Sequence, residues 1–411
     1  MLYIKLIRNF YLALTILAFL LPIEFNFLDF FPGIILMWLL YYIYFFFQKK
    51  SQKKVSNKLF EIYDSNIIFT LTITVLYFLF YPIYTKFYTG TSLFTSIFSF
   101  GTGISNYANY QQYFLDNELN AFSLAKLPYI LGHSLLKLSF IFIVFRYFIY
   151  QHTKSRIELL CIFLISIIYI LVGVTRGTSF EMFEIFNLFL FVYVIHRQKN
   201  GKKNIMTVKS FLYLTAIFTL SVSYFIFNIK QRFGGEFDFT SLSGYNKNSF
   251  ISLYLPSLSI LLFSLYGYFI FGIHYTSILC KNLWFNSPSG FLSMFTPEGI
   301  SKFNFSDSTR DFVDKYINVG AQWTPETVSV IEHYGILVLV LIIILLGFIT
   351  KSIISKIHYS ISSVVILFYI YLYLISLPIG NFLTVSSSNI ICLILATLIL
   401  VYNNIFKIYG K

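Results

Sequence analysis

Charged residues are scarce in this chain. Asp, Glu, Lys and Arg together make up 11% of its 411 residues and hydrophobic residues 57%, and the mean hydropathy is +0.74. Because an ordinary soluble domain carries about 25% charged residues, this composition excludes that class. Apolar runs long enough to cross a bilayer recur along the chain, which predicts an all-α polytopic membrane protein.

Cysteines are few as well. Cys161, Cys280 and Cys392 are too scattered for a disulfide framework or a zinc site, so we expect free thiols, no metal and no cofactor. The 30 Lys and Arg outnumber the 17 Asp and Glu, but the basic residues lie in short loops between apolar runs. That placement indicates membrane orientation and argues against nucleic acid as a partner.

The apolar runs predict ten full spans in a single integral membrane domain that covers residues 1–411. They lie at residues 10–28, 31–47, 66–84, 128–150, 158–174, 179–196, 209–228, 328–350, 357–377 and 387–403. Basic residues concentrate at both termini and after alternate spans, in the loops 49–58, 146–156, 197–209 and 351–356. By the positive-inside rule, these loops and both termini are predicted to be cytoplasmic.

One apolar run, 250–279, does not fit this alternation. The loops on either side of it, 229–249 and 280–327, are both predicted to be external, so one crossing would leave one of them on the wrong side. The run is interrupted by Pro256, Gly267 and Gly272. We therefore predict a re-entrant or interfacial segment, about 10–11 transmembrane helices in all, and a large external loop at 280–327.

Arg176 lies between the fifth and sixth predicted spans, on the external side, where basic residues are few. Gly177 after it would let backbone or a ligand approach closely. An arginine fork beside lipid head groups suits a phosphate or a diphosphate. The alternative is a structural arginine that pairs with Glu181 or Glu184 at the start of the next span.

Three further cations are candidates for binding a diphosphate. Lys230 and Arg232 follow the seventh span in the sequence IKQRFGGE, where anchoring to head groups is the alternative role. Lys137 lies near the middle of the fourth span, with His133 one turn away. A charge at that depth is costly, so Lys137 should face the bundle interior, as a ligand-binding residue or in an ion pair with a carboxylate of the sixth span.

Aromatic residues on the external side are candidates for sugar binding. Tyr107, Tyr110 and Tyr113 are spaced three apart among Asn and Gln in SNYANYQQYF, and Trp323 lies at the end of the large loop. Sugar sites favour such rings with amide partners. An aromatic belt at the membrane surface would have the same composition.

Three of these motifs resemble those of a known family, the bacterial repeat-unit polymerases of O-antigen and capsule assembly (Wzy-type enzymes). VTRG resembles the family's small-residue–Arg–Gly element, and IKQRFGG is similar to its second external arginine. WTPETVSVIEHYGILV resembles the end of its last large loop, which runs through an acidic or polar helix and a glycine into the next span. The order of spans and loops is similar to that of the family over most of the chain. The motifs that carry the resemblance are short.

This resemblance implies a glycosyltransferase in the bacterial plasma membrane that works on the outer face without a metal. The donor would be a growing glycan on undecaprenyl diphosphate, and the acceptor a single lipid-linked repeat unit. Arg176 and Arg232 would stabilise the charge of the departing diphosphate. A chain-length regulator and a flippase are implied partners besides the lipid bilayer.

The catalytic base is left open by a departure from the family. Related O-antigen ligases and some polymerases carry a His-Asn pair about three helical turns before the glycine that matches Gly335, whereas this chain has Thr324 and Pro325 there. The candidates are therefore Glu326, Glu332 and His333. Glu326 is favoured because backbone N–H groups in the first turn of a helix can orient its carboxylate, and the other two should lie deeper.

Two other functions fit part of the sequence. A flippase for lipid-linked oligosaccharides would need cations along a central cavity and usually has related halves with short loops. Lys137 and His133 fit that function, but the loop at 280–327 does not. An O-antigen ligase, which moves the finished glycan to another acceptor, shares nearly all the features of a polymerase.

The predicted topology is testable by labelling single cysteines from outside the cell. We expect a membrane-impermeant maleimide to reach Ser308→Cys and to miss Asn200→Cys, because the first lies in the large external loop and the second in a basic loop. A cysteine at Ser355, after the eighth span, is the control for the second half of the chain. Labelling of that cysteine from outside would contradict the topology.

Overall fold

The part of the chain that is described is mostly helical, in agreement with its composition. A computed structural model describes residues 2–21, 23–49, 59–60, 66–95, 106–117, 123–151, 154–201, 244–281, 313–316, 324–355, 358–380, 382–383 and 386–409. Seven helices in these ranges are long and apolar enough to cross a membrane. The chain is therefore an all-α polytopic membrane protein.

Most elements follow the predicted spans, but the first helix, Leu2–Leu20, begins and ends eight residues before the predicted span 10–28. In the first half they are α1 (Leu2–Leu20), α2 (Phe27–Gln48), β1 (Leu59–Phe60), α3 (Ile67–Thr89), α4 (Asn106–Asp116), α5 (Leu127–Phe145), α6 (Arg156–Arg176) and α7 (Phe180–Lys199). In the second half they are α8 (Phe250–Tyr254), α9 (Pro256–Leu265), α10 (Phe271–Lys281), α11 (Glu326–Ser355), β2 (His358–Tyr359), α12 (Ile361–Ser376) and α13 (Ser387–Tyr409). One π-helical turn, Arg146–Tyr150, extends α5, and another, Tyr266–Ile270, joins α9 to α10. The seventh predicted span, 209–228, lies outside the described residues.

The central element is α12, in which all 16 residues are buried. A helix that is apolar on every side has no face for water, so burial among other helices is its stable position. By contrast, α1, α3 and α11 expose large apolar side chains such as Ile16, Leu79 and Leu341. Those faces suit lipid tails.

Two helices end side by side in glycines, and α4 lies across both ends. Gly90 follows α3 with φ 70°, and Gly177 follows α6 with φ 61°. A Cβ at Gly90 would lie 2.7 Å from the ring of Tyr113, and a Cβ at Gly177 would lie 2.7 Å from the backbone nitrogen of Tyr107. Glycine is thus required at both positions for the left-handed turn and for the close approach of α4. We call this end of the bundle, marked by Gly90, Gly177 and α4, the Gly177 end.

Described residues that border the loops predicted to be cytoplasmic contact one another away from the Gly177 end. β1 pairs in parallel with β2, so the segment after the basic loop 49–58 lies beside the segment after the basic loop 351–356. Arg146 donates to Glu158 at 2.6 Å and to Thr70 at 2.8 Å, which joins the ends of α5, α6 and α3. These contacts join described residues that border the basic loops, and the grouping of the loops on one face stays a prediction. Which end faces the cytoplasm stays a prediction.

The segment predicted to be re-entrant is flanked by contacts to the α1–α2 connection on one side and to the first turn of α2 on the other. Before α8, Tyr245 forms an antiparallel bridge with Ile23, and its hydroxyl hydrogen-bonds Ser259 Oγ of α9 at 2.7 Å. At the end of α10, Lys281 contacts Asp29 at 2.6 Å. The helical stretch that ends at Lys281 is 24 residues long, enough to cross a membrane. One of its ends is linked through Tyr245 to Ile23, and the other contacts Asp29, which follows Ile23 closely in the chain. That arrangement suits a segment that turns back, and the re-entrant assignment stays a prediction.

A cysteine pair tests this return directly. We expect Ile23→Cys and Tyr245→Cys to form a disulfide under mild oxidation, because antiparallel partners lie about 4.5–5.5 Å apart at Cα, within disulfide range. Both substitutions are made in a variant whose native cysteines have been replaced, and the disulfide is detected by peptide mass spectrometry. Ile23→Cys with Asn200→Cys, at the opposite end, is the matched control. Equal cross-linking of both pairs would contradict the fold of this segment.

Candidate functional site

Arg176 is the last residue of α6, and it ion-pairs with Glu181 in the first turn of α7. The Arg176 side chain is 23% exposed, whereas that of Glu181 is only 3% exposed. Thr178 Oγ1 donates to the same carboxylate at 3.3 Å. The ion pair that sequence analysis considered as the alternative role is therefore present, and diphosphate binding by Arg176 stays a prediction.

The guanidinium of Arg176 has donor capacity beyond this pair. Its Nε is buried and has no hydrogen-bond partner among the described residues. A guanidinium offers five N–H donors in a planar fork, and the carboxylate of Glu181 contacts the Nη2 side. An oxyanion placed against Nε would supply the missing acceptor, which is the chemistry expected of a phosphate-binding arginine.

Helix α4 brings tyrosine and amide side chains next to this arginine. Asn106 at its start donates from Nδ2 to the carbonyl of Val174 at 3.2 Å, and Tyr107 lies against Gly177. Tyr107 and Tyr110 are half-buried, and the Tyr110 ring packs on Phe114 at 5.6 Å between centroids. The structure thus brings Tyr107, a candidate for sugar binding, close to Arg176, a candidate for diphosphate binding, although the two are far apart in sequence.

Glu184, one turn after Glu181 on α7, accepts hydrogen bonds from three other helices. Lys137 of α5 donates to both of its oxygens at 2.8 and 2.7 Å, Tyr169 of α6 donates at 2.5 Å, and Asn389 of α13 at 2.7 Å. The side chains of Lys137 and Glu184 are each 5% exposed. Lys137 therefore forms a buried ion pair with a carboxylate of the sixth predicted span, which was its alternative role. To bind a diphosphate, Lys137 would have to leave Glu184.

A row of tyrosines on α3 lies beside this cluster, and sequence analysis missed it. Tyr77, Tyr81, Tyr84 and Tyr88 lie on one face, with successive ring centroids 4.8, 5.7 and 4.9 Å apart. His133 Nδ1 hydrogen-bonds the Tyr81 hydroxyl at 3.0 Å and its ring stacks on Tyr84 at 4.9 Å. The spacing of four, three and four residues in YFLFYPIYTKFY was the available signal.

Glu326, the favoured base, is the first residue of α11, and its side chain is fully buried. The next residue, Thr327, donates from its backbone nitrogen to the Leu377 carbonyl at 3.2 Å and borders a small cavity with Met37, near the middle of α2. Helix α11 then breaks at Gly335, with φ 79° and ψ 163°. Glu326 therefore lies about halfway along the bundle, and a substrate would have to reach that depth to use it as a base.

The other predicted site residues lie outside the described part of the structure. They are Lys230, Arg232 and Trp323, together with the side chains of Glu332 and His333. Among the described residues, no group of three His, Cys, Asp or Glu side chains could hold a metal ion. The cysteines in those ranges are free thiols.

Comparison with known proteins identifies no relative. No protein-family model, no curated protein and no solved structure matches this chain. Function therefore has to be inferred from the arrangement around Arg176 and Glu184 and from the sequence motifs.

The buried ion pair predicts a specific pattern of stability. We expect Lys137→Met to lower the free energy of unfolding by about 3–5 kcal/mol, because it leaves the Glu184 carboxylate buried without a cation. The measurement is unfolding of the purified protein in detergent. The double variant Lys137→Met, Glu184→Leu removes both charges and should recover much of the loss. Equal stability of Lys137→Met and the unaltered protein would show that the pair carries no such role.

Proposed function

We propose that this chain polymerises oligosaccharide repeat units carried on undecaprenyl diphosphate, as a membrane glycosyltransferase of the bacterial plasma membrane that acts on its outer face. The observation that carries the proposal is the placement of Arg176. The Arg176 side chain is 23% exposed, its Nε is buried without a partner among the described residues, and the residue lies beside α4 with its tyrosine and amide side chains. A cationic fork next to an aromatic surface suits a lipid diphosphate that bears a sugar.

In the proposed reaction, a hydroxyl of the lipid-linked acceptor unit attacks the anomeric carbon of the donor glycan. The new glycosidic bond forms as the bond to undecaprenyl diphosphate breaks, so negative charge grows on the departing oxygen. Arg176 stabilises that charge with preorganised donors in a site of low dielectric, where such contacts are strongest. Arg232 and Lys230 are proposed to contact the second phosphate.

The sugars adjoining the diphosphate are proposed to lie against α4. Rings such as Tyr107 and Tyr110 offer apolar faces to a sugar ring, and amides such as Gln111 offer donors and acceptors to its hydroxyls. Trp323 is proposed as a further sugar contact. The proton of the attacking hydroxyl passes to Glu326, Glu332 or His333, and the burial of Glu326 means that the acceptor would have to enter the bundle for Glu326 to take it.

The ion pair inside the bundle favours the polymerase over a flippase. A flippase for an anionic lipid needs cations available along its path. Lys137 is instead held by both oxygens of Glu184, which also accepts from Tyr169 and Asn389. An O-antigen ligase would use the same arginine chemistry, so only the product distinguishes it.

The surface glycan of a strain that lacks this protein tests the class of function. Single repeat units on the surface are the expected result. Loss of all repeats would indicate a flippase, and full-length chains held on the lipid carrier would indicate a ligase.

The role of Arg176 is tested by Arg176→Lys, which keeps the charge and removes the planar fork. We expect polymer formation to fall by an amount equivalent to about 2–4 kcal/mol of transition-state stabilisation, as for the loss of an oxyanion donor. The rate is measured as chain length per unit time on gels of the labelled glycan. The exposed arginine of α1, in the variant Arg8→Lys, is the matched control. Normal polymer from Arg176→Lys at normal protein level would contradict the proposed site.

A further inference from the structure

His133 is a buried imidazole that the reaction proposed above does not use. It lies in the second turn of α5, about 9 Å along the axis from the start of that helix at Leu127. Its Nδ1 hydrogen-bonds the Tyr81 hydroxyl at 3.0 Å, and its ring stacks on Tyr84 at 4.9 Å between centroids. Two side chains of α3 therefore hold the imidazole in one orientation.

The same part of the bundle contains Arg176. Tyr84 lies six residues before Gly90, about 9 Å from the end of α3, and Arg176 directly precedes Gly177 at the adjoining end of α6. Arg176 is close enough to interact electrostatically with both His133 and Tyr84. The imidazole therefore lies near the position proposed for the departing diphosphate.

His133 is also more accessible than the carboxylate that sequence analysis favoured as the base. The relative exposure of His133 is 7%, whereas that of Glu326, beside the middle of α2, is 0%. Tyr88 and Tyr84, which lead along α3 from the Gly177 end to the imidazole, are half-buried. A sugar that lies against these two rings would bring a hydroxyl to the edge of His133 without entering the middle of the bundle.

The two cations near His133 are each compensated by a carboxylate. Lys137, one turn further along α5, contacts Glu184 at 2.7 Å, and Arg176 pairs with Glu181. An imidazolium that forms during the reaction would therefore not face two uncompensated positive charges. The negative charge that grows on the departing diphosphate would stabilise it further.

We propose that His133 is the catalytic base that takes the proton of the acceptor hydroxyl, and that Tyr81 positions it. Nδ1–H donates to the Tyr81 oxygen, so Nε2 holds the lone pair. The hydroxyl oxygen bonds to the anomeric carbon, its proton moves to Nε2, and the bond to the diphosphate breaks. Water then takes the proton from the imidazolium. This inference rests on the proposed function, and it sets His133 in place of the three candidates near the large loop.

Azide separates a catalytic base from a structural residue. Azide is an anion that can attack the anomeric carbon without losing a proton, so it needs no base, whereas a sugar hydroxyl does. The full-length protein in nanodiscs receives the lipid-linked repeat unit extracted from a strain that lacks the protein. Azide is added at a concentration that yields glycosyl azide from the unaltered protein. Polymer is measured on gels and glycosyl azide by mass spectrometry.

We expect His133→Gln to slow polymer formation by about 100-fold or more, the usual contribution of a general base. The rate of glycosyl azide formation should be nearly unchanged, because that reaction has no proton to remove. Tyr81→Phe keeps the test decisive if His133→Gln does not fold. It removes the hydroxyl that orients the imidazole and keeps the ring, so we expect a smaller loss of polymer and, again, normal formation of glycosyl azide.

A second His–Tyr pair in the chain supplies matched controls. The Tyr266 hydroxyl hydrogen-bonds Nδ1 of His274 at 3.1 Å, and the His274 ring packs on Phe30 of α2 at 4.7 Å between centroids. His274→Gln and Tyr266→Phe therefore disturb a buried pair of the same kind beside a different helix. Both rates should stay normal in these variants.

The outcomes separate the role of His133 from the function of the chain. A normal polymer rate in His133→Gln would overturn the assignment of the base and leave the proposed function standing. Equal loss of polymer and glycosyl azide in His133→Gln and Tyr81→Phe would do the same, because it indicates a structural role. Absence of both products from the unaltered protein would overturn the proposed function as well. Loss of polymer alone, with both controls normal, would support His133 as the base.

Discussion

The described architecture depends on one physical constraint: charges inside an apolar bundle have to be compensated by other protein groups. Glu184 meets this constraint with three donors from three different helices, namely Lys137, Tyr169 and Asn389. Because a buried carboxylate without those partners would be costly, the cluster sets how α5, α6, α7 and α13 lie against one another. Arg146 and Glu158 do the same for α3, α5 and α6 at the opposite end.

The position of the candidate site depends on the cluster around Glu184. Glu181 lies one turn before Glu184 on α7, so holding Glu184 also holds Glu181 at the Gly177 end. Glu181 in turn fixes the guanidinium of Arg176 at the end of α6. The left-handed turn at Gly177 lets α4 lie across the same place. One network of partners therefore extends from the bundle interior to Arg176, whose buried Nε has no partner among the described residues.

Particular residues show how far sequence reasoning reached. The depth of Lys137 in an apolar run was enough to expect a partner inside the bundle, because an isolated charge there is unstable. The sequence could not identify Asn389 and Tyr169 as further partners of the same carboxylate, since their contacts depend on which helices are neighbours. The sequence did not predict the burial of Glu326 either. A carboxylate after a polar loop suggests an exposed position, whereas α11 begins beside the middle of α2.

The sequence by itself determined the class of protein and most of the helices, because hydropathy is a property of the chain read in order. The distribution of Lys and Arg predicts which loops share a face. Only the tertiary structure decided which carboxylate pairs with Arg176 and which with Lys137, and that Tyr107 lies against Gly177. Such pairings depend on the order in which helices pack. A pattern of apolar residues says that a helix lies in the membrane, but it does not say which helix stands next to it.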